Sequence, residues 1–300
     1  MHKSVSVVLA LLVLVGCQPK TEPEPAAPVE IVTAPDYSVL STVLAGNWRT
    51  DKSKARDIYR HPAQTLDFCE IDPAGQVAEI WPGAGWYSQI LLPWIHANGG
   101  HFTAVAVDPT RSQPAADLLL RYLEQYADRE LYGEFSHSIL SATSGPIAPA
   151  DSQDAILTFR NIHSWMGRGM SEKAFADFYA ALKPGGVLCV VEHRLPSAAV
   201  QDSKAPTGYV QEAMAKALAS EAGFLFEASA EINANPDDEA DHPFGVWTLP
   251  PVQRSPRDDE ERAANPDFDR AIYDTIGESD RMTLRFRKPA AAPTTEESQP

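Results

Sequence analysis

Three short stretches carry residue types able to do chemistry. The first, Glu79-Ile80-Trp81-Pro82-Gly83-Ala84-Gly85-Trp86-Tyr87, starts with a carboxylate, passes two glycines and ends in two aromatic rings. Glycines let a backbone approach a bound molecule, and a helix beginning behind them offers unpaired N–H groups. The second is Asp108, an acid at the end of an apolar run. There it can accept both hydrogen bonds of a ribose diol. The third is Arg160-Asn161-Ile162-His163. A neutral imidazole at His163 can take a proton near pH 7, and the Asn161 amide can orient a nucleophile or an ammonium group. Trp165 is placed to wall the same space.

Weaker candidates surround these. In Glu192-His193-Arg194, strand alternation sends Glu192 and His193 to opposite faces, so one of them faces a pocket. A salt-linked strand end is the plainer alternative. Arg56, Arg60 and His61 read either as a basic lid or as an ordinary helix surface. Cys189 lies in an apolar run and reads as an inert core thiol, with a disulfide to Cys69 as the alternative in an oxidising compartment. No Cys/His cluster has zinc-ligand spacing, so no metal site is expected.

The elements that position these residues alternate between strand and helix signals, which predicts an α/β fold with a mainly parallel sheet. Strands are expected at 76–81, 102–107, 135–140, 155–159, 187–191, 224–228 and 282–286, and a helix at 86–97. Leu119, Tyr122, Leu123 and Tyr126 share one helix face, as do Phe175, Phe178, Tyr179 and Leu182 in a helix that Ser171 can cap. Lys183-Pro184-Gly185-Gly186 is read as the turn closing that helix, and a further helix through Val210, Met214, Ala217 and Leu218 stops at Gly223. Residues 231–280 are too long for a plain loop and are expected to carry structure and function. With 25 Lys and Arg against 41 Asp and Glu the formal charge is −16, which argues against nucleic acid as a partner.

The chain opens MHKSVSVVLALLVLVGC. Its apolar run at residues 5–15 is shorter than the roughly 20 residues that span a bilayer, and suits a signal-peptide core. Leu14-Val15-Gly16-Cys17 resembles the lipobox of bacterial lipoproteins. That resemblance implies cleavage after residue 16, lipidation of Cys17 and anchoring in the lipid bilayer. Gln18 after the cysteine implies the periplasmic side of the outer membrane. Residues 17–36, rich in Pro, Glu and Ala, read as a disordered tether and 289–300 as a disordered tail, leaving a folded part at 37–288.

Residues 79–87, Asp108 and Leu182-Lys183-Pro184-Gly185-Gly186 together resemble the signature of class I S-adenosylmethionine-dependent methyltransferases. More narrowly, segments 56–62, 82–87, 158–163, 191–194, 232–236, 245–251 and 277–282 are similar to a group of predicted bacterial methyltransferases of unknown substrate. The resemblance covers roughly residues 50–288. It implies a Rossmann-like, doubly wound, seven-stranded sheet, mostly parallel with an antiparallel last strand. It implies S-adenosylmethionine as cofactor, with Glu79, Gly83, Gly85 and Asp108 lining its pocket; Tyr87, whose ring can face the sulfonium, and Arg160, after the fourth strand, are further candidate cofactor contacts. It also sets His163 and Asn161 beside the transferable methyl, and makes a small molecule the expected acceptor. Trp81 departs from the pattern, standing where the broad family has its first glycine. Two other functions fit the residues. One is an exported, non-catalytic ligand-binding protein. The other is an NAD-dependent oxidoreductase, because Gly83-x-Gly85-x-x-Ser88 with Asp108 approximates a dinucleotide fingerprint.

Overall fold

Alternate residues of the central strands face opposite ways and fill two cores. Val77, Ala155, Leu157, Val187 and Cys189 face one side of the sheet, and Ala78, Ile80, Ile156, Leu188 and Val190 the other. The computed structural model describes residues 36–290. The leader, Cys17 and almost all of both expected tails lie outside the described residues. Within the described residues no helix is long and apolar enough to cross a membrane.

The strands are β1 (Gln76–Ile80), β2 (His101–Val107), β3 (Ser136–Leu140), β4 (Gln153–Phe159), β5 (Leu182–His193), β6 (Leu225–Ala230) and β7 (Arg281–Arg287). They form one seven-stranded sheet in the order β3-β2-β1-β4-β5-β7-β6. β1 to β5 pair in parallel, and β7 runs antiparallel to both β5 and β6. This is the expected α/β, doubly wound arrangement. The order reverses between β1 and β4, the place where open α/β sheets leave a crevice at the carboxyl ends of their strands.

Three local expectations change. Ser171 is the first residue of the helix Ser171–Ala181 and not its cap, which is Met170; the buried Ser171 hydroxyl has no hydrogen-bond partner among the described residues. The Lys183–Gly186 turn is absorbed into β5, where Lys288, just past β7, exchanges bonds with it: Gly185 N–H donates to the Lys288 carbonyl and Lys288 N–H to the Gly186 carbonyl. Cys69 and Cys189, both fully buried, are joined in a disulfide, so Cys189 is not a free core thiol. The bond ties the helix Pro62–Phe68 to the middle of β5.

Residues 231–280 carry a 3-10 turn at Gly245–Thr248 and helices at Asp259–Ala264 and Arg270–Ile276. Part of this segment closes over the carboxyl edge of the sheet, as described next.

Candidate functional site

Trp81 and Arg160 immediately follow β1 and β4. Each still donates its N–H across the sheet, to the carbonyls of Val105 and Val191 at 2.7 Å. Both then adopt left-handed backbone, with φ of 47° and 65°. For a residue with a side chain this costs about 1–2 kcal/mol, and such strain concentrates at functional sites. The two turns part the chains and open a cavity of about 330 Å³. Its floor is Glu79, Trp81, Gly83, Phe159, Arg160, Asn161, His163 and His193. Arg56, Arg60, Trp86 and Tyr87 form one wall, and Val246, Trp247, Pro250, Pro251 and Val252 the other. The last wall comes from the long late segment, in and beside its stretch 245–251.

Glu79 is buried, and its Oε2 accepts a 2.6 Å hydrogen bond from Ser88 Oγ. Burial pushes its carboxyl up to about 7, so near neutral pH it carries only part of a negative charge. The folded value is raised above the ordinary 4.5, so the group's stabilising contribution is complete below pH 4.5 and lost as pH rises through 7. Glu79→Gln, which keeps an acceptor for Ser88, is expected to match the natural protein at pH 4 and exceed it at pH 8 by about 3 kcal/mol. Urea unfolding at the two values checks this, and equal stability at both would show that Glu79 ionises without penalty.

The two glycines do different work. A Cβ at Gly83, where φ is 61°, would meet nothing within 4 Å, so this backbone is open to the cavity. A Cβ at Gly85 would fall 2.3 Å from the Tyr126 hydroxyl, which donates to the Gly85 carbonyl. Gly85 is thus a close approach to Tyr126 and does not line the pocket. Tyr87 stacks on Phe159 with ring centroids 3.6 Å apart, and its hydroxyl donates to the Arg60 carbonyl.

Asp108 lies beside a second cavity of about 250 Å³, with Val107, Arg111, Ser141, Thr143 and Arg168. Its Oδ1 accepts from the Thr110 amide and hydroxyl, which hold the carboxyl below its ordinary range and leave Oδ2 without a partner among the described residues. Trp81 is the wall common to both cavities. Its indole N–H donates to the Leu140 carbonyl, the Trp165 ring meets it edge-on, and the Arg168 guanidinium lies 5.1 Å from its centre.

On the β4–β5 side, His163 Nδ1 lies 3.1 Å from Glu192 Oε1. A carboxylate only accepts, so Nδ1 carries the proton and Nε2 keeps a lone pair. Glu192 is fully buried, and its oxygens also accept the N–H groups of Ile162 and His193. Glu192 and His193 therefore both belong to the site, His193 in the floor and Glu192 behind His163. The His193 ring bonds to Ser279 Oγ, and burial beside His163 and the arginines holds it well below the ordinary histidine range, hence neutral. Asn161 departs from its expected role. Its Nδ2 donates to the Ile80 carbonyl and Thr158 Oγ1, so the amide pins β1 to β4 instead of orienting a ligand through N–H. Trp165 does not wall the cavity; it is fully buried against Phe175 and Phe178.

Four arginines crowd one side. Glu278 is bound by Arg56 at 2.6 Å, by Arg60 at 2.9 Å and by Arg281. Arg281 and Arg60 are the main neighbours that hold its carboxyl at about 2 against the effect of burial. Arg160 makes no side-chain hydrogen bond among the described residues. His61, expected beside Arg56 and Arg60, is not part of the wall. His163, Glu192 and His193 offer ligand atoms within 4.8 Å of one another. The Glu192 oxygens are already engaged by three N–H donors, and Arg56, Arg60 and Arg160 share the cavity, which opposes a divalent metal ion at this cluster.

No family model and no curated protein sequence matches the chain. Solved structures do. A protein assigned as a sarcosine dimethylglycine methyltransferase from Galdieria sulphuraria aligns at 16% identity and a TM-score of 0.52, covering 79% of this chain and 87% of its own. The 4+2 cyclase SpnF aligns at 17% identity and 0.53, covering 85% and 94%. A methyltransferase from Aquifex aeolicus aligns at 14% identity and 0.48, covering 65% and 93%. The chain has the Rossmann-like fold found in S-adenosylmethionine-dependent methyltransferases.

Proposed function

We propose that the protein binds S-adenosylmethionine along the carboxyl edge of its sheet and methylates a small-molecule acceptor. One observation carries this reading: an ionised acid with a free oxygen, Asp108, and an open glycine backbone, Gly83, border two cavities that meet at Trp81. These residues fit the cofactor. Asp108 would take the ribose hydroxyls, and the backbone of Gly83 and Ala84 leaves room for the chain beyond. Tyr87 and Trp86 line the cavity, the first stacked on Phe159 and the second under the Arg60 guanidinium. A cationic group beside Glu79 would draw that poised carboxyl into its ionised form. The cofactor would supply an electrophilic methyl group. His163 would receive the acceptor's proton at Nε2, with Glu192 holding the ring in the required tautomer.

Calorimetric titration with S-adenosylmethionine and S-adenosylhomocysteine, with NADH as control, tests this. Micromolar binding of the first pair is expected, weakened about tenfold to a hundredfold by Asp108→Ala, the worth of hydrogen bonds to a charged group. No binding by the folded protein would end the reading. Unchanged affinity in the variant would remove Asp108 from the site. The dinucleotide alternative is disfavoured because Gly85 and Ser88 are turned inward, toward Tyr126 and Glu79. The same fold also carries a cyclase, so the fold alone does not separate methyl transfer from a non-catalytic binding role. Turnover of S-adenosylmethionine would exclude it.

The same proposal places the domain on the periplasmic side of the outer membrane, anchored through a lipidated Cys17. The leader residues support this, as does the Cys69–Cys189 disulfide, since such bonds persist in oxidising compartments.

A further inference from the structure

The arginines of the main cavity are out of balance with their partners. Arg60 is 3% exposed and lines the cavity, yet only its Nε is hydrogen-bonded, to Glu278; Nη1 and Nη2 are buried with no hydrogen-bond partner among the described residues. Leaving charged donors buried and unpaired is costly, and groups in that state signal a missing acceptor. Arg160 lines the same cavity with no side-chain partner among the described residues. Glu278 is the carboxylate that neutralises this group, and Arg56 and Arg281 already share it. The Arg60 guanidinium lies over the Trp86 indole, 4.6 Å from its centre, which holds it against the wall. A planar fork fixed in this way matches an oxyanion with two acceptor oxygens.

We propose that Arg60 and Arg160 form an oxyanion subsite that takes the carboxylate or phosphate group of the small-molecule acceptor, next to the His163 imidazole. That the bound molecule is the methyl acceptor rests on the methyl-transfer reading; the anion subsite itself does not. Burial and the neighbouring arginines all act against the charge of Arg60, and an entering anion would relieve that field. The cavity, at about 330 Å³, is of the size that small ligands occupy.

Inorganic phosphate is the probe, titrated into the purified protein by calorimetry with and without saturating S-adenosylhomocysteine. Binding is expected in both conditions, weakened about tenfold to a hundredfold by Arg160→Gln, which breaks no ion pair of the described residues. Arg60→Gln should act alike, its fold checked by circular dichroism because Arg60 also holds Glu278. Arg262→Gln, in the exposed helix Asp259–Ala264, should change nothing. Equal affinity in Arg160→Gln and the natural protein, or no phosphate binding, overturns the subsite. Displacement of phosphate by S-adenosylhomocysteine overturns its assignment to the acceptor, because the arginines would then serve the cofactor's own carboxylate. Phosphate binding that depends on Arg160, in a protein that ignores S-adenosylhomocysteine, supports the subsite and ends the methyl-transfer reading alone.

Discussion

Replacing His163 by alanine is expected to lower kcat for methyl transfer about 10²–10⁴-fold, with S-adenosylhomocysteine affinity unchanged within about twofold. The expectation follows from a division of labour that the geometry fixes. His163 Nε2 is the lone pair free to face the cavity, because Nδ1–H is committed to Glu192. Glu192 is a positioning residue, fully buried and holding three N–H donors. Glu192→Gln places an amide N–H₂ against those donors. The imidazole then loses its fixed tautomer, so kcat falls while the KM of the acceptor stays nearly constant. Glu192→Asp, which keeps the charge, should recover part of the rate. Tritiated S-adenosylmethionine with carboxylate- and phosphate-bearing acceptors provides the assay, and a thermal melt separates chemistry from folding. A His163→Ala protein with full kcat would leave the cavity without its base. Loss in Glu192→Gln confined to KM would assign Glu192 to binding architecture instead.

Much of the frame is legible in the sequence because its signals are local. β1, β2 and β4 are apolar runs closed by Pro-Gly, an acid and an Arg-Asn pair, and they appear where those runs lie. The site residues that repeat this local logic, Gly83, Asp108, Arg160 and His163, do border the two cavities. What escapes the sequence is who meets whom. A glycine signals close approach without naming the partner, so Gly85 looks like a ligand contact when it is a seat for Tyr126. Asn161 looks free until the strand ends it bridges are in place. The Glu278 group joins arginines more than two hundred positions away in the chain, a separation no local pattern spans. Trp165 has the type of a binding-site residue, but its helix turns it into the core among Phe175 and Phe178.

The left-handed backbone at Trp81 and Arg160 connects the fold to the site. Parallel strands deliver both residues to the same edge at the reversal of strand order, and strain at each turns the chain aside. Trp81 stands where a glycine would turn without strain, and its ring is fastened to the Leu140 carbonyl at the end of β3. The ring sets a rigid wall between the acid side and the base side of the crevice. Any ligand touching both Asp108 and His163 must pass this indole.

Removing the Cys69–Cys189 disulfide is expected to cost about 3–5 kcal/mol of stability. The two cysteines are 120 residues apart, so the bond closes a long loop and removes much of the freedom of the unfolded chain. It also fastens two halves of the site. Cys69 follows the helix Pro62–Phe68, just beyond Arg60, and Cys189 lies in β5, three residues before Glu192. Loosening it should therefore blunt phosphate binding as well as stability. Both sulfurs lie in an apolar core, so the Cys69→Ala/Cys189→Ala pair removes the link without burying new polar groups. Urea unfolding of this variant, and of the natural protein with and without reductant, should show the same drop in midpoint. An unchanged midpoint after demonstrated reduction would mean that the loop is already restrained in the unfolded chain. Two free thiols in protein taken directly from cells would go further. They would remove the bond from the native molecule, and with it the support that the folded domain lends to an oxidising compartment.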